Sequence, residues 1–337
     1  MKKGSGFWGD LDQEQEQALE TFKRELAPMS LDPQRYDDYF YLRFLRARKF
    51  DLEKSLLMVR NFFQWRTEFG TDQIFSFEFP EVTEMKKFYP HGYHKTDRQG
   101  RPIYIECLGK LDLKQIFDLT NTDRMIKYYV REYERTLLMR LPACSRMAGR
   151  KIEQSLTILD LDGLSMKLMS KQTYDFVKIA SSIAQDYYPE MLGQMFIINA
   201  PTLFSMVWGT IKKFVDEKTR NKIQILSTKY QTALLELVDP ENLPQFLGGT
   251  CKCPQGCLNS SAGPWNPKCL RCDATGELIV PRDEMEEEKE APVVPSFAPE
   301  ILEQSSDARE DSDQDDLREE DVREILEYVS LRSVLKA

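Results

Sequence analysis

From Pro80 onward the chain alternates between short, β-prone apolar runs and long amphipathic stretches, and few folds satisfy that alternation. The β-prone runs lie at residues 102–108, 155–161, 195–199 and 222–226. Helical stretches at 122–141, 165–188 and 202–218 separate them. In the first, Ile126, Tyr129, Val130, Tyr133 and Leu137 fall on one stripe. In the second, Phe176, Val177, Ala180, Ile183 and Tyr187 do the same, at the spacing of a helix with one buried face. Strands joined by crossover helices lie side by side in a mostly parallel sheet with the helices packed on it. The expected fold class is therefore α/β.

The region before this alternation reads differently. Ala18, Leu19, Phe22 and Leu26 recur at helical spacing, and residues 35–49 form a second helical stretch. Asp51 is placed to cap a third, with Leu52, Leu56, Val59 and Phe63 on its stripe and Gly70 at its end. The expectation is a helical unit over 1–75, an α/β domain over 76–272 and a tail over 273–337. Residues 282–321 are rich in Glu, Asp, Pro and Ser and poor in aromatics, a composition that cannot bury enough apolar area to offset the entropy of ordering. The tail is read as acidic and mostly disordered, ending in a short helix on Val322, Ile325, Leu326 and Val329.

The net charge of -9 misleads until it is divided. Residues 280–337 hold 19 Asp+Glu against 7 Lys+Arg, which leaves 36 acids and 39 bases in the rest. A mildly basic body suits an anionic membrane surface and is too weakly basic for nucleic acid. No run is long and apolar enough to span a bilayer, and no secretory or myristoylation signal is read at the N-terminus. The two histidines, His91 and His94, lie in a polar, turn-rich segment and read as surface loop residues. With no GxSxG elbow, dinucleotide loop or P-loop, hydrolase and nucleotide chemistry are disfavoured.

Three constellations remain. Ser155 and Thr157 alternate with Leu156 and Ile158, so two hydroxyls share one face of a strand expected to be buried. Read alone, they bond nearby backbone carbonyls; the alternative is a polar head group at the end of an apolar cavity. Leu203, Phe204, Val207, Trp208, Ile211 and Phe214 cover most of the circumference of one helix, which fits either a core helix or a lid facing an acyl chain and a bilayer. Lys212 and Lys213 are placed for lipid phosphates. Finally, Cys251, Cys253, Cys257, Cys269 and Cys272 could hold structural zinc. Their spacing matches no standard finger and the segment has no histidine, so reduced cysteines without metal are expected.

The motifs LRFLRARKFD (42–51), FYPHGYHKTDRQGRPIYIECLG (88–109), RLPACSR (140–146), YYPEMLG (187–193), IINAP (197–201), NLPQFLGG (242–249) and GPWNP (263–267) resemble, in order, those of the CRAL-TRIO (Sec-fourteen-like) family. The resemblance implies a helical N-terminal unit beside a domain whose sheet floors an apolar lipid pocket, gated by a mobile helix at about 203–218. It implies a phosphatidylinositol head-group set of Arg48, Glu190, Thr219 and Lys222. It implies a phosphatidylcholine set of Tyr93, Tyr104, Ser155 and Thr157, which turns the hydroxyl pair toward the head-group reading. Gly248 and Gly249 fall on the hinge.

A carrier of this kind exchanges phosphatidylinositol and phosphatidylcholine between membranes without covalent chemistry, cofactor or nucleic acid. The resemblance implies a cytoplasmic monomer, peripheral on Golgi or endosomal membranes. Its alternatives are a lipid-gated regulator that presents phosphatidylinositol to a lipid kinase or trafficking partner, and a carrier of another hydrophobic ligand.

Overall fold

The computed structural model describes residues 4–164, 171–201, 204 and 220–266, with the side chains of 171–175 and 177 left out. The expected tail, Thr219, Cys269, Cys272 and all the expected gate residues except Phe204 lie outside the described residues.

Three helices open the chain: α1 (Gln13–Leu26), α2 (Asp38–Ala47) and α3 (Leu52–Phe69). Each starts on an aspartate. Asp12, Asp37 and Asp51 accept from the backbone N–H of Gln15, Phe40 and Lys54, groups that have no partner within the helix. In α1 the Gln15 side-chain oxygen accepts in return from the Asp12 N–H at 3.0 Å, completing a capping box. α3 stops at Gly70, whose φ of 72° is left-handed and suits a residue without Cβ. Leu19, Phe22, Phe40, Phe44, Val59 and Phe62 form the shared core of the three helices.

Then follow α4 (Val82–Phe88), β1 (His91–Thr96), β2 (Pro102–Cys107), α5 (Leu113–Leu119), α6 (Thr122–Arg135), α7 (Leu141–Ala148), β3 (Ser155–Asp160), α8 (Lys171–Tyr187), β4 (Leu192–Ile198), β5 (Ile223–Ile225) and α9 (Gln231–Leu237). The five strands form one sheet in the order β1-β2-β3-β4-β5. β1 pairs antiparallel with β2, and the remaining pairs are parallel. The expected α/β class and mostly parallel sheet are what the chain adopts. One sheet face carries Ile103, Ile105, Leu156, Ile158, Phe196 and Ile198 and is covered by the α9 region through Leu234 and Val238.

Two expectations need correction. The polar segment holding both histidines is strand β1, and His91 and His94 are 4% and 0% exposed rather than surface residues. His91 and Tyr93 point to one face of the sheet and Gly92 and His94 to the other, because strand side chains alternate. Gly92 is required there, since a Cβ would collide with the Leu258 carbonyl. The single helix expected over 122–141 is also divided. α6 passes into a π-helical turn at Thr136–Arg140 and then into α7, whose Pro142 sits in the first turn, where its missing N–H is tolerated.

The helical unit is fastened to the α/β domain by buried ion pairs, Arg46 with Glu153 among them, and the most enclosed of the carboxylates is Glu134. Glu134 of α6 accepts from Arg66 of α3 (Nη1–Oε1 2.7 Å), from Arg35 (Nη2–Oε2 3.0 Å) and from the Tyr188 hydroxyl (2.7 Å). Its side chain is 2% exposed and that of Arg66 4%. Asp72 also accepts from Arg66 (2.5 Å) and Arg35 (3.1 Å), so removing Glu134 leaves the buried Arg66 guanidinium with one exposed partner in place of two. Glu134→Ala is expected to lower unfolding stability by about 2 kcal/mol or more in urea denaturation. A loss below about 1 kcal/mol, the range of a surface pair, would show that the carboxylate does not hold the two parts together.

Candidate functional site

The second face of the sheet floors a cavity of about 230 Å³. Tyr93 of β1 lies opposite Tyr104 of β2, Tyr104 opposite Thr157 of β3, and Thr157 opposite Met195 of β4. Residues paired across strands share a face, so this row is brought together by register alone. The next row sets His91 beside Glu106 and Glu106 beside Leu159. α6 and α8 wall the cavity with Tyr128, Glu132, Ala180 and Gln185, and Tyr188 follows α8. The residues expected for a choline head group, Tyr93, Tyr104, Ser155 and Thr157, all line it.

Their partners differ in kind. The Tyr93 and Tyr104 rings are tilted at 46° with centroids 5.0 Å apart. The Arg140 guanidinium lies 4.1 Å from the Tyr93 centroid, so the protein already places one cation on that ring. The π-helical turn delivers Arg140 there, and its Nη2 donates to Glu132 at 2.6 Å. Ser155 donates weakly to the Met191 carbonyl at 3.4 Å, the local bond expected of a buried hydroxyl, while it still lines the cavity.

Sequence reasoning missed the acidic and imidazole groups of the cavity. Burial pushes the Glu106 carboxyl up to about 7, against the lowering effect of hydrogen bonds from Tyr89 and Tyr104. The Tyr89 hydroxyl donates to it directly. Among the described residues no lysine or arginine forms a salt bridge with Glu106. Glu132 is different. Burial acts to raise its pKa, but Arg140 and Arg135 outweigh burial and hold it below the usual carboxylate range. His91 is kept neutral, its pKa lowered to about 4 by burial and then by Lys86. Nδ1 faces the Tyr89 carbonyl at 2.8 Å and must donate, because a carbonyl only accepts. Nε2 therefore accepts from the Tyr128 hydroxyl at 3.1 Å. The available signal for Glu106 was its place two residues after Tyr104, on the same face of a strand.

The residues expected for an inositol head group sit elsewhere. Glu190 is 3% exposed and has φ of 59°, a conformation that costs energy in a residue with a side chain. Lys222 Nζ is 3.5 Å from Glu190 Oε2, and Arg46 Nε is 3.8 Å from the same oxygen. Arg46, which sequence reasoning did not select, also pairs with Glu153 at 3.0 Å. Arg48, at the end of α2, is half-buried, and its Nη1 donates to the Ala47 carbonyl. None of Arg48, Glu190 and Lys222 lines the cavity. A second cleft of about 240 Å³, between the helical unit and α7, is lined by Arg35, Arg43, Arg66 and Lys151 and holds none of the expected site residues.

The two glycines expected at the hinge follow the short 3-10 turn Gln245–Leu247. Gly248 has φ of 90°, and a Cβ on Gly249 would collide with the Leu243 carbonyl. Both positions therefore require glycine. Phe204 is 6% exposed and packs with Leu161, Met195 and Ala200. No helix of the described residues is long and apolar enough to cross a membrane.

A cavity between a mostly parallel sheet and its crossover helices, lined by aromatic rings with a few polar groups, defines a binding domain for a ligand with both apolar and polar parts. The chain belongs to the CRAL/TRIO family: the model of the CRAL/TRIO domain matches residues 84–249, and that of the CRAL/TRIO N-terminal domain matches 7–61. It is 47% identical over 262 residues to the Sec14 cytosolic factor of Schizosaccharomyces pombe, covering 77% of this chain and 91% of that protein. It is 44% identical over 284 residues to the phosphatidylinositol/phosphatidylcholine transfer protein SFH9 of Arabidopsis thaliana, covering 83% of this chain and 48% of that protein. This chain thus spans about half the length of that plant relative. The crystal structure of Sfh5 shares the fold, with a TM-score of 0.57 at 22% identity over 76% of this chain and 93% of that one.

The carboxyl of Glu106 predicts a pH dependence whose sign follows from proton uptake. Its folded value of about 7 lies above its ordinary 4.5, so folding takes up a proton between the two. Stability is then highest at the acid end, falls as pH rises from about 4.5 through 7, and stays lower above that. In delipidated protein, Glu106→Gln should stabilise at pH 8 by about 3 kcal/mol and at pH 5 by no more than about 1 kcal/mol. An equal effect at both values, measured by urea unfolding, would mean that Glu106 is not a strained carboxyl.

Proposed function

We propose that this chain takes one phospholipid from a membrane, shields it in the cavity between sheet and helices, and exchanges phosphatidylinositol for phosphatidylcholine. The observation that carries this reading is the convergence of Tyr93, Tyr104, Ser155 and Thr157 on one cavity whose other walls are largely apolar. The names of the Arabidopsis relatives support it, since they describe transfer of these two lipids.

The physical problem is the acyl chains. Each methylene kept from water is worth about 0.8 kcal/mol, so two chains with roughly 30 methylenes would cost on the order of 24 kcal/mol to bring into water. Exchange needs a cavity continuous with the bilayer while it is open and closed to water afterwards. The segment 203–218 is assigned as the gate, and the 248–249 glycine pair as its hinge.

The two head groups have separate chemistry. A quaternary ammonium is drawn to the Tyr104 ring and the face of Tyr93 that Arg140 leaves free. It also brings a cation to the uncompensated carboxyl of Glu106, which favours the ionised form. An inositol phosphate meets Lys222 and Arg48, with Glu190 accepting from ring hydroxyls and Thr219 completing the set. The pairing of Lys222 with Glu190 and the strained backbone of Glu190 fit a site held ready for that ligand. No step in this cycle makes or breaks a covalent bond.

Mass spectrometry of lipids extracted from the purified protein tests the assignment, together with transfer between vesicles. Wild type should carry both lipids. Lys222→Ala should lose phosphatidylinositol selectively and Ser155→Ala/Thr157→Ala should lose phosphatidylcholine, each by about 10-fold or more, the equivalent of one charge-assisted or two neutral hydrogen bonds. Unchanged lipid ratios in both variants, or a different hydrophobic ligand in wild type, would overturn the head-group assignment.

A further inference from the structure

The cysteines that follow the hinge acquire a histidine from the sheet. One ring nitrogen of His94, in β1, and the Sγ atoms of Cys251, Cys253 and Cys257 all lie within 4.8 Å of one another. We propose that these four residues bind one zinc ion in a closed Cys3His site that fastens the segment 251–266 across the edge of the sheet. This inference stands apart from the lipid reading.

The geometry is close to that of a filled site. With Zn–S near 2.3 Å, two sulfurs on a tetrahedral zinc are about 3.8 Å apart. Cys251 Sγ and Cys253 Sγ are 3.8 Å apart. That separation is far too long for a disulfide, and all three thiols are free. The turn after Cys253 brings the third sulfur back. Pro254 enters it, the Gly256 N–H donates to the Cys253 carbonyl at 2.9 Å, and Gly256 takes φ of 81°. His94 is fully buried, Cys257 is 7% exposed, and Cys251 and Cys253 are half-buried. A shell so enclosed fits a structural metal rather than one that holds a reacting water.

An independent observation concerns the imidazole. His94 Nδ1 lies 3.4 Å from the Ser260 hydroxyl, which itself donates to the Cys257 carbonyl at 2.9 Å. With its proton committed there, Ser260 Oγ can only accept, which places the ring proton on Nδ1 and a lone pair on Nε2. His94 Nε2 is buried with no hydrogen-bond partner. A buried nitrogen lone pair without a donor is costly, and a metal ion satisfies it. A ring nitrogen fixed by an outer hydrogen bond so that the other can ligate is the usual support of a histidine on zinc.

The cysteine spacing alone pointed to a set that included Cys269 and Cys272 and lacked a histidine. The fold instead supplies the fourth ligand from a strand far upstream. The site also bears on the cavity wall. The fastened segment includes Trp265, whose ring centroid is 6.3 Å from that of Tyr93.

The test uses the full chain, purified reduced and without a metal-affinity step, with metal content measured by mass spectrometry. One zinc per chain is expected, retained by Cys269→Ser/Cys272→Ser and lost from His94→Ala and Cys253→Ser. A Cys269→Ser/Cys272→Ser variant that loses zinc while His94→Ala keeps it would overturn the ligand set. So would a folded wild-type chain that holds no zinc even after incubation with it. Because His94→Ala could fail to fold, cobalt is added to metal-stripped wild type as a second measurement. Thiolate-to-cobalt charge-transfer bands with the intensity of three sulfurs, together with tetrahedral d–d bands, are expected. Octahedral bands or no charge transfer would refute the site.

Discussion

The carboxylate of Glu134 is the interaction on which the rest of the molecule depends. It receives Arg66 and Arg35 from the helical unit and Tyr188 from the end of α8, while standing on α6 itself. α6 and α8 are the walls of the cavity, so the same group that attaches the N-terminal helices also sets the distance between those walls. Aromatic packing reinforces it: Trp65 of α3 stacks on Tyr187 at 4.1 Å and 7°, and Tyr133 stacks on Tyr188 at 4.5 Å and 9°. The helical unit is thus part of the cavity's architecture, and the two cores meet: Tyr187 packs against the helical core, and Trp65 and Phe69 of α3 pack against the cluster of Ile126, Val130 and Ile183.

The cavity itself is less uniformly apolar than a container for acyl chains would be. Its floor near β1 and β2 is a polar end, with His91, Tyr89, Tyr128 and Glu106 in one hydrogen-bonded group and Glu132 neutralised by arginines beside it. Towards β4 and α8 the lining is mostly apolar, with Met191, Leu192, Met195 and Ala180 beside the polar Ser181 and Gln185. Among the described residues the two carboxyls within it differ for one reason: Glu132 is paired with arginine and Glu106 is not.

What could be read in the sequence was whatever depends on near neighbours. Asp51 and Gly70 delimit α3 because capping is local, and β-branched runs announced β2 through β5. β1 was hidden because its side chains are polar for reasons of the site: His91 and Tyr93 serve the cavity, and His94 lies on the opposite face. The π-helical turn at Thr136–Arg140 leaves no pattern, since it adds one residue to a helix whose composition is unchanged. Glu134 gave no sign of its arginines, which come from positions far away in the chain. Tyr93, Tyr104, Ser155 and Thr157 were legible through family motifs, but their meeting in one place is a product of strand register.

The backbone around β1 has a consequence for life at high concentration. A terminal strand of a sheet offers unpaired N–H and carbonyl groups as a template for another chain. Here the Lys95 N–H donates to the Ala262 carbonyl at 2.6 Å, and the Leu258 carbonyl is pressed against Gly92. The returning segment therefore occupies the outer side of that strand. At the opposite end β5 is only three residues long, too short to recruit a neighbour effectively. Among the described residues, both margins of the sheet are in this way guarded against templated aggregation.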